Sequence, residues 1–224
     1  MKAESIYSNY QNSDMEIQNF WVFAFTGLLL NLTPGNDMIY VASRSAGQGI
    51  KAGIVSAFGI MAGCFVHILA AVVGLSAIIS KSALAFDIIK WLGALYLVYL
   101  GIRSLVSKKR SMEIIKVDRL LSYTTIFWKG VITNVLNPKV ALFFLAFLPQ
   151  FIVANSTWMH LEILFLGTWF NTSGLLVNIC VACLFGRMSN WLSQHQGFLY
   201  WQEKITGFVL IGLGIKVALS KPSD

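Results

Sequence analysis

Asn31-Leu32-Thr33-Pro34-Gly35-Asn36-Asp37 interrupts one apolar run, and Asn134-Val135-Leu136-Asn137-Pro138-Lys139 interrupts another at the matching place in the second half of the chain. A proline removes a backbone donor and crowds the preceding turn. At bilayer depth such a break survives only where protein or a water-filled cavity re-satisfies the freed groups. Interruptions at corresponding positions of two halves are the expected mark of a transporter built from inverted repeats, with its ligand bound where the broken helices meet.

Composition supports a membrane setting. Of 224 residues, 56% are hydrophobic and only 12% charged, about half the charge of a soluble domain. Charge-free runs extend over 17–36, 52–80, 140–159 and 163–186, and a spanning helix needs about 20 mostly apolar residues. Shorter runs at 91–102 and 205–215 reach that length with flanking residues whose charges sit at the interface. The expectation is an all-α polytopic membrane protein with six helices near 17–41, 51–79, 84–106, 126–152, 161–186 and 203–220, arranged as a 3+3 inverted repeat with helices 1 and 4 broken. Residues 1–14 form a polar extension and 15–224 one membrane domain. Its halves are about 15–106 and 126–220, joined by a linker over about 107–125.

A net charge of +7 could suggest nucleic acid, but the basic residues flank hydrophobic segments instead of covering a soluble fold. Arg44, Lys51, Arg103, Lys108, Lys109, Arg110, Lys116, Arg119, Lys129, Arg187 and Lys204 gather on one face; Lys2, Lys81, Lys90, Lys216 and Lys221 lie on the other. The positive-inside rule then places the 1–2, 3–4 and 5–6 loops in the cytoplasm and both termini outside. Met112, Ile115 and Leu120 among the basic residues of the linker suggest a short interfacial helix touching anionic lipid. Met15 is a second candidate start, and no signal peptide is expected: Glu4, Asp14 and Glu16 precede the first apolar run against Lys2 alone.

Cys64, Cys180 and Cys183 fall inside expected spans and read as packing residues; Cys180-Val-Ala-Cys183 lacks the second ligand pair a metal site needs, so no metal and no cofactor are expected. Gly49, Gly53, Ser56, Gly63, His67, Ala70 and Gly74 recur at three- and four-residue steps, a stripe that lets another backbone come close. His67 on that stripe points into the bundle, either bonding a neighbouring helix or relaying protons at a cavity wall. Thr168, Asn171 and Asn178 share one side of helix 5, and Gly207, Gly212 and Gly214 suggest close packing in the last helix.

Charges at depth are the sharper signals, each costing at least about 2.5 kcal/mol to insert. Lys90 either snorkels, pairs with Asp87, or serves the site. Lys139 sits near the middle of a helix of about 27 residues, roughly 20 Å from either end, and needs an acid, a carbonyl cluster or an anionic ligand as partner. Asp37 is the expected acid. A zwitterionic amino acid could then set its carboxylate at Lys139 and the amides of a half-helix start, and its ammonium at Asp37 and the unwound carbonyls. Asn31, Thr33, Asn36, Asn134 and Asn137 would complete the hydrogen bonds around Pro34, Gly35 and Pro138. Proton uptake by Asp37 would couple transport to the proton gradient; a fixed Asp37–Lys139 lock is the static alternative.

These same residues resemble the LysE/RhtB-type amino-acid exporters of bacteria. The likeness runs through Leu32-Thr-Pro-Gly-Asn-Asp-Met38, Arg44 to Gly53, Gly59-x-x-x-Gly63-x-x-x-His67, Lys90 to Gly101, and Asn137-Pro-Lys-Val-Ala-Leu-Phe-Phe-Leu-Ala-Phe-Leu-Pro-Gln150. One departure stands out: Asn36 replaces the second proline of the family's usual Pro-Gly-Pro. The resemblance implies export of amino acids or close derivatives across the inner membrane by proton antiport, as a homo-oligomer, with protons, membrane lipids and the amino acid as partners. A neutral substrate such as threonine, homoserine or leucine is favoured, because Asp37 is the only deep acid found. A channel, a structural membrane partner or an integral-membrane enzyme are the competing classes, and the last would need a catalytic constellation that the sequence does not display.

Overall fold

In the computed structural model, residues 19–79, 83–107, 120–152, 156–194 and 196–219 are described. The N-terminal extension and most of the basic linker, with the interfacial helix expected there, lie outside them. The described chain is helical throughout: α1 (Phe20–Leu32), α2 (Asn36–Gln48), α3 (Ile50–Ile79), α4 (Ala83–Val106), α5 (Tyr123–Val135), α6 (Pro138–Leu142), α7 (Met159–Gln194) and α8 (Gln196–Leu219). A wide turn over Phe143–Phe147 and a tight one over Leu148–Phe151 follow α6.

Both prolines break their helices where expected, and the breaks are wider than the sequence suggests. The first apolar segment becomes two helices separated by Thr33, Pro34 and Gly35, and α2 runs on to Gln48 instead of ending near 41. In the second, α5 stops at Val135 and the chain resumes at Pro138, the two parts bent by 44°. Helix 4, expected over 126–152 with a break, is accordingly interrupted between Val135 and Pro138. At the other ends, α7 extends past 186 to Gln194, and α8 begins at Gln196 instead of 203.

Ile50–Gly74 and Met159–Arg187 are each long and apolar enough to cross a bilayer, and the bent pair α5 with α6 and its turns counts as a third. Three apolar helical stretches are shorter: Phe20–Leu32, Trp91–Val106 and Lys204–Ile215.

Two apolar cores hold the bundle. One is aromatic, with Phe23, Phe143, Phe144, Phe147, Phe151 and Phe170 packed together, the Phe143 and Phe170 rings stacked at 4.3 Å. The other joins Met38, Val41 and Ala42 of α2 to Ala57 and Ile60 of α3 and Val181, Ala182 and Phe185 of α7. The helix breaks lie between these cores.

Glycines set how closely the helices approach. A Cβ on Gly59 would run into the Phe127 carbonyl oxygen, one on Gly63 would lie 2.6 Å from Val131 O, and one on Gly130 2.9 Å from Ser56 O. So α3 and α5 meet backbone to backbone. The stripe expected on α3 is corrected by this: Gly53 faces Ser45 and Ala182 on another side, Gly74 meets nothing within 4 Å, and Ala70 is exposed. Likewise α4 and α8 interlock through Gly101 and Gly207, each occupying the space beside the other's carbonyl, and through Gly214 against Ala94 O; Gly212 faces open space.

Candidate functional site

Each proline leaves a carbonyl four residues back without its helical donor. For Pro34 that acceptor is Leu30 O; for Pro138 it is Asn134 O. Side chains from other segments answer both. Lys139 Nζ donates to Leu30 O at 3.1 Å and to Thr33 O at 3.0 Å. His67 Nε2 lies 2.9 Å from Asn134 O, and because a carbonyl only accepts, that nitrogen carries a proton. The His67 ring also stacks on Phe144.

This geometry corrects the expected Asp37–Lys139 pair. Of the partners that sequence left open for Lys139, the carbonyl cluster is the one found. Asp37 instead accepts from Asn134 Nδ2, at 2.8 Å to Oδ2, while its Oδ1 is buried without a hydrogen-bond partner. Asp37 lies in the first turn of α2, where the helix dipole favours negative charge. The two breaks are thus braced across: the second supplies Lys139 to the first break's carbonyls and Asn134 to its carboxylate.

Between the cores lies a cavity of about 20 Å³, room for roughly one water molecule. Asn31, Asp37, Asn134, Asn171 and Asn178 contribute its polar lining, and Ile60, Met61, Cys64, Val140, Phe170 and Leu175 its apolar wall. Asn31 Nδ2 donates to Phe170 O and to Ser173 Oγ, each at 3.1 Å, and Asn171 Nδ2 donates to Met61 O at 3.1 Å. Gly174 gives Asn31 its space, since a Cβ there would lie 3.2 Å from the carboxamide.

Of the expected site residues, Asn31, Asp37 and Asn134 share this cavity. Thr33, Gly35 and Lys139 form the adjoining break: Thr33 Oγ1 donates to Leu29 O, and a Cβ on Gly35 would lie 3.2 Å from Lys139 Nζ. Asn137 is buried and caps α6, its Oδ1 accepting from Lys139 N at 3.0 Å, while its Nδ2 has no partner. Pro34 is partly buried within the first break and Pro138 opens α6 exposed. Asn36, at the start of α2, is exposed and does not line the cavity. The side chains of Asp87 and Lys90 are outside those described. Thr168 is exposed, so the polar face expected on helix 5 reduces to Asn171 and Asn178. Cys64 and Phe170 were not anticipated at the site. Cys64 lies four residues beyond Ile60 and three before His67, which places it one turn from both on α3.

Residues 28–221 match the family described as LysE type translocator. The chain is 30% identical over 204 residues to the uncharacterized membrane protein YrhP of Bacillus subtilis, covering 86% of this chain and 94% of that one. It is 32% identical over 174 residues to the homoserine/homoserine lactone efflux protein of Salmonella typhimurium, covering 77% and 84%. To the leucine efflux protein of Salmonella choleraesuis it is 30% identical over 136 residues, 61% and 64%. No solved structure matches the chain.

Proposed function

The chain belongs to the LysE family of translocators, and on that premise we propose that it is a secondary active exporter, carrying amino acids or close derivatives out across the bacterial inner membrane in exchange for protons. The observation that carries the reading is Asp37: a carboxylate beside a cavity at two helix breaks, with one oxygen held by Asn134 and the other unengaged. A buried carboxylate oxygen without a donor is costly unless something cationic or a proton visits it.

A substrate's ammonium group docks on Asp37 Oδ1. Lys139 does not receive the substrate's carboxylate as a free cation, because two carbonyls already hold it; the carboxamides of Asn31, Asn171 and Asn178 face the opposite end of the substrate. Ile60, Met61, Cys64 and Leu175 supply an apolar wall, which suits a neutral side chain, and Asp37 is the one acid among the described residues that line the cavity. Relatives named for homoserine and leucine efflux are in keeping with that choice. At about 20 Å³ the cavity has room for roughly one water molecule, so export requires α1–α2 and α5–α6 to part at their breaks. Asp37 takes up a proton when the substrate leaves and gives it up when the next one arrives.

The architecture in this reading is six spans in a 3+3 inverted repeat, with α1–α2, α3 and α4 answering α5–α6, α7 and α8. Support comes from contacts that exchange halves: α3 packs on α7, α4 on α8, α5 lies against α3, and α2 against α7. The odd loops are cytoplasmic and the termini outside by the charge rule, and the chain works as a homo-oligomer among lipids.

Accumulation by everted membrane vesicles of a panel of radiolabelled neutral and basic amino acids supplied in the medium tests the proposal. Uncoupler-sensitive accumulation of a neutral amino acid is expected; gradient-independent leak would make the protein a channel, and no flux with any amino acid would remove the exporter reading.

A further inference from the structure

The carbonyls at the end of α1 have a second meaning that does not depend on what is exported. Pro34 cannot supply the i→i−4 donor to Leu30 O, which keeps the Thr33 N–H at 3.1 Å as its backbone donor; the chain bends away so that Thr33 O also faces the break, and both sit at the negative end of the α1 dipole. Two convergent carbonyl oxygens at a helix C-terminus inside a membrane protein form the kind of ligand set that holds a monovalent cation. Here the ligand is the chain's own ammonium, 3.0 and 3.1 Å from the two oxygens. Its direct hydrogen bonds go to these carbonyls, while Asp37 takes its hydrogen bond from Asn134. Gly35 keeps the space open, since any Cβ there would stand 3.2 Å from Nζ and 3.5 Å from Cε.

We propose that the first helix break is a monovalent-cation site, for a primary ammonium or alkali ion, which this protein fills permanently with the tethered ammonium of Lys139. Lys139 is thus a positioning residue that replaces a free coupling cation and leaves Asp37 free for its own partners. A merely structural lysine, holding its place by the packing of its stem, would show no such chemistry.

The test uses the purified full-length protein in detergent. Lys139→Ala is expected to melt several degrees below wild type. Methylammonium chloride should raise its Tm by at least about 3 °C, as ligand binding to the folded state alone requires, while tetramethylammonium chloride at equal ionic strength should not. Wild type should respond to neither. A Lys139→Ala protein indifferent to methylammonium, sodium and potassium, or a wild type that responds equally, overturns the proposal. Should the variant fail to fold, nitrogen-15 lysine spectra of wild type decide: one ammonium, assigned by its loss in Lys139→Arg, should exchange far more slowly than those of exposed Lys51 and Lys129, and equal exchange overturns it. Both readouts are independent of transport, so they stand or fall apart from the exporter reading. Where that reading also holds, replacing sodium and potassium by choline should leave the export rate unchanged.

Discussion

Asp37, Asn134, Lys139 and His67 are four side chains answering the faults two prolines create. Their roles differ in what truncation would leave behind. Asn134→Ala strips Asp37 of its only side-chain donor while the carboxylate stays buried; this should cost about 1–3 kcal/mol of stability, visible as a lower Tm in detergent, and an unchanged Tm would show that the bond is idle. His67→Ala should cost less, about 1 kcal/mol, because Asn134 O keeps the backbone N–H of Asn137 at 2.9 Å. The acid and the carboxamides of this cluster were legible from their places beside the prolines. The pairing was not. Sequence offers Asp37 and Lys139 as opposite charges in matching motifs, whereas Lys139 gives its hydrogen bonds to Leu30 O and Thr33 O, carbonyls at a proline break on another helix. Backbone acceptors have no letter of their own in a sequence.

At the scale of elements, the α3–α5 contact rests on glycines that admit no side chain. Gly63→Ala places a methyl 2.6 Å from Val131 O and 2.9 Å from Asn134 Cβ, so the helices must separate, at a cost of about 1–3 kcal/mol. Since Asn134 carries both the donor to Asp37 and the carbonyl bound by His67, the same change should depress transport along with Tm. Gly74→Ala is the control: nothing lies within 4 Å of its Cβ, and better helix propensity should leave the Tm unchanged or raise it by up to about 1 kcal/mol of stability. Equal melting of the two variants would show that the close approach carries no energy. Small-residue periodicity located the helix that packs closely, yet it mixed residues of several faces. Gly53 serves α2 and α7, Gly59 and Gly63 serve α5, and a one-dimensional pattern does not say which neighbour lies behind each turn.

For the whole molecule, the proposed carrier, with halves that rock about a shared polar centre, rests on the apolar runs, the two breaks and the packing of α3 on α7 and α4 on α8. If the proposed orientation, argued from lysine and arginine placement, holds, alkaline phosphatase fused after Asp224 is expected to be active and a fluorescent protein fused there dark; the reverse pattern would invert the assignment. Helical class and break positions were readable because hydropathy and proline chemistry act locally. The lengths of α2, α7 and α8 were not, since polar residues such as Arg44 and Gln48 prolong helices beyond their apolar cores. The central claim, that Asp37 couples amino-acid export to protons at the crossing of the breaks, is tested most directly by amino-acid accumulation in everted vesicles, comparing wild type with Asp37→Asn at equal membrane abundance. Uncoupler-sensitive accumulation should fall at least about tenfold in the variant, a loss of about 1.4 kcal/mol in the driven step, and its remaining flux should no longer respond to pH; a variant with the wild-type rate and pH dependence would contradict the account.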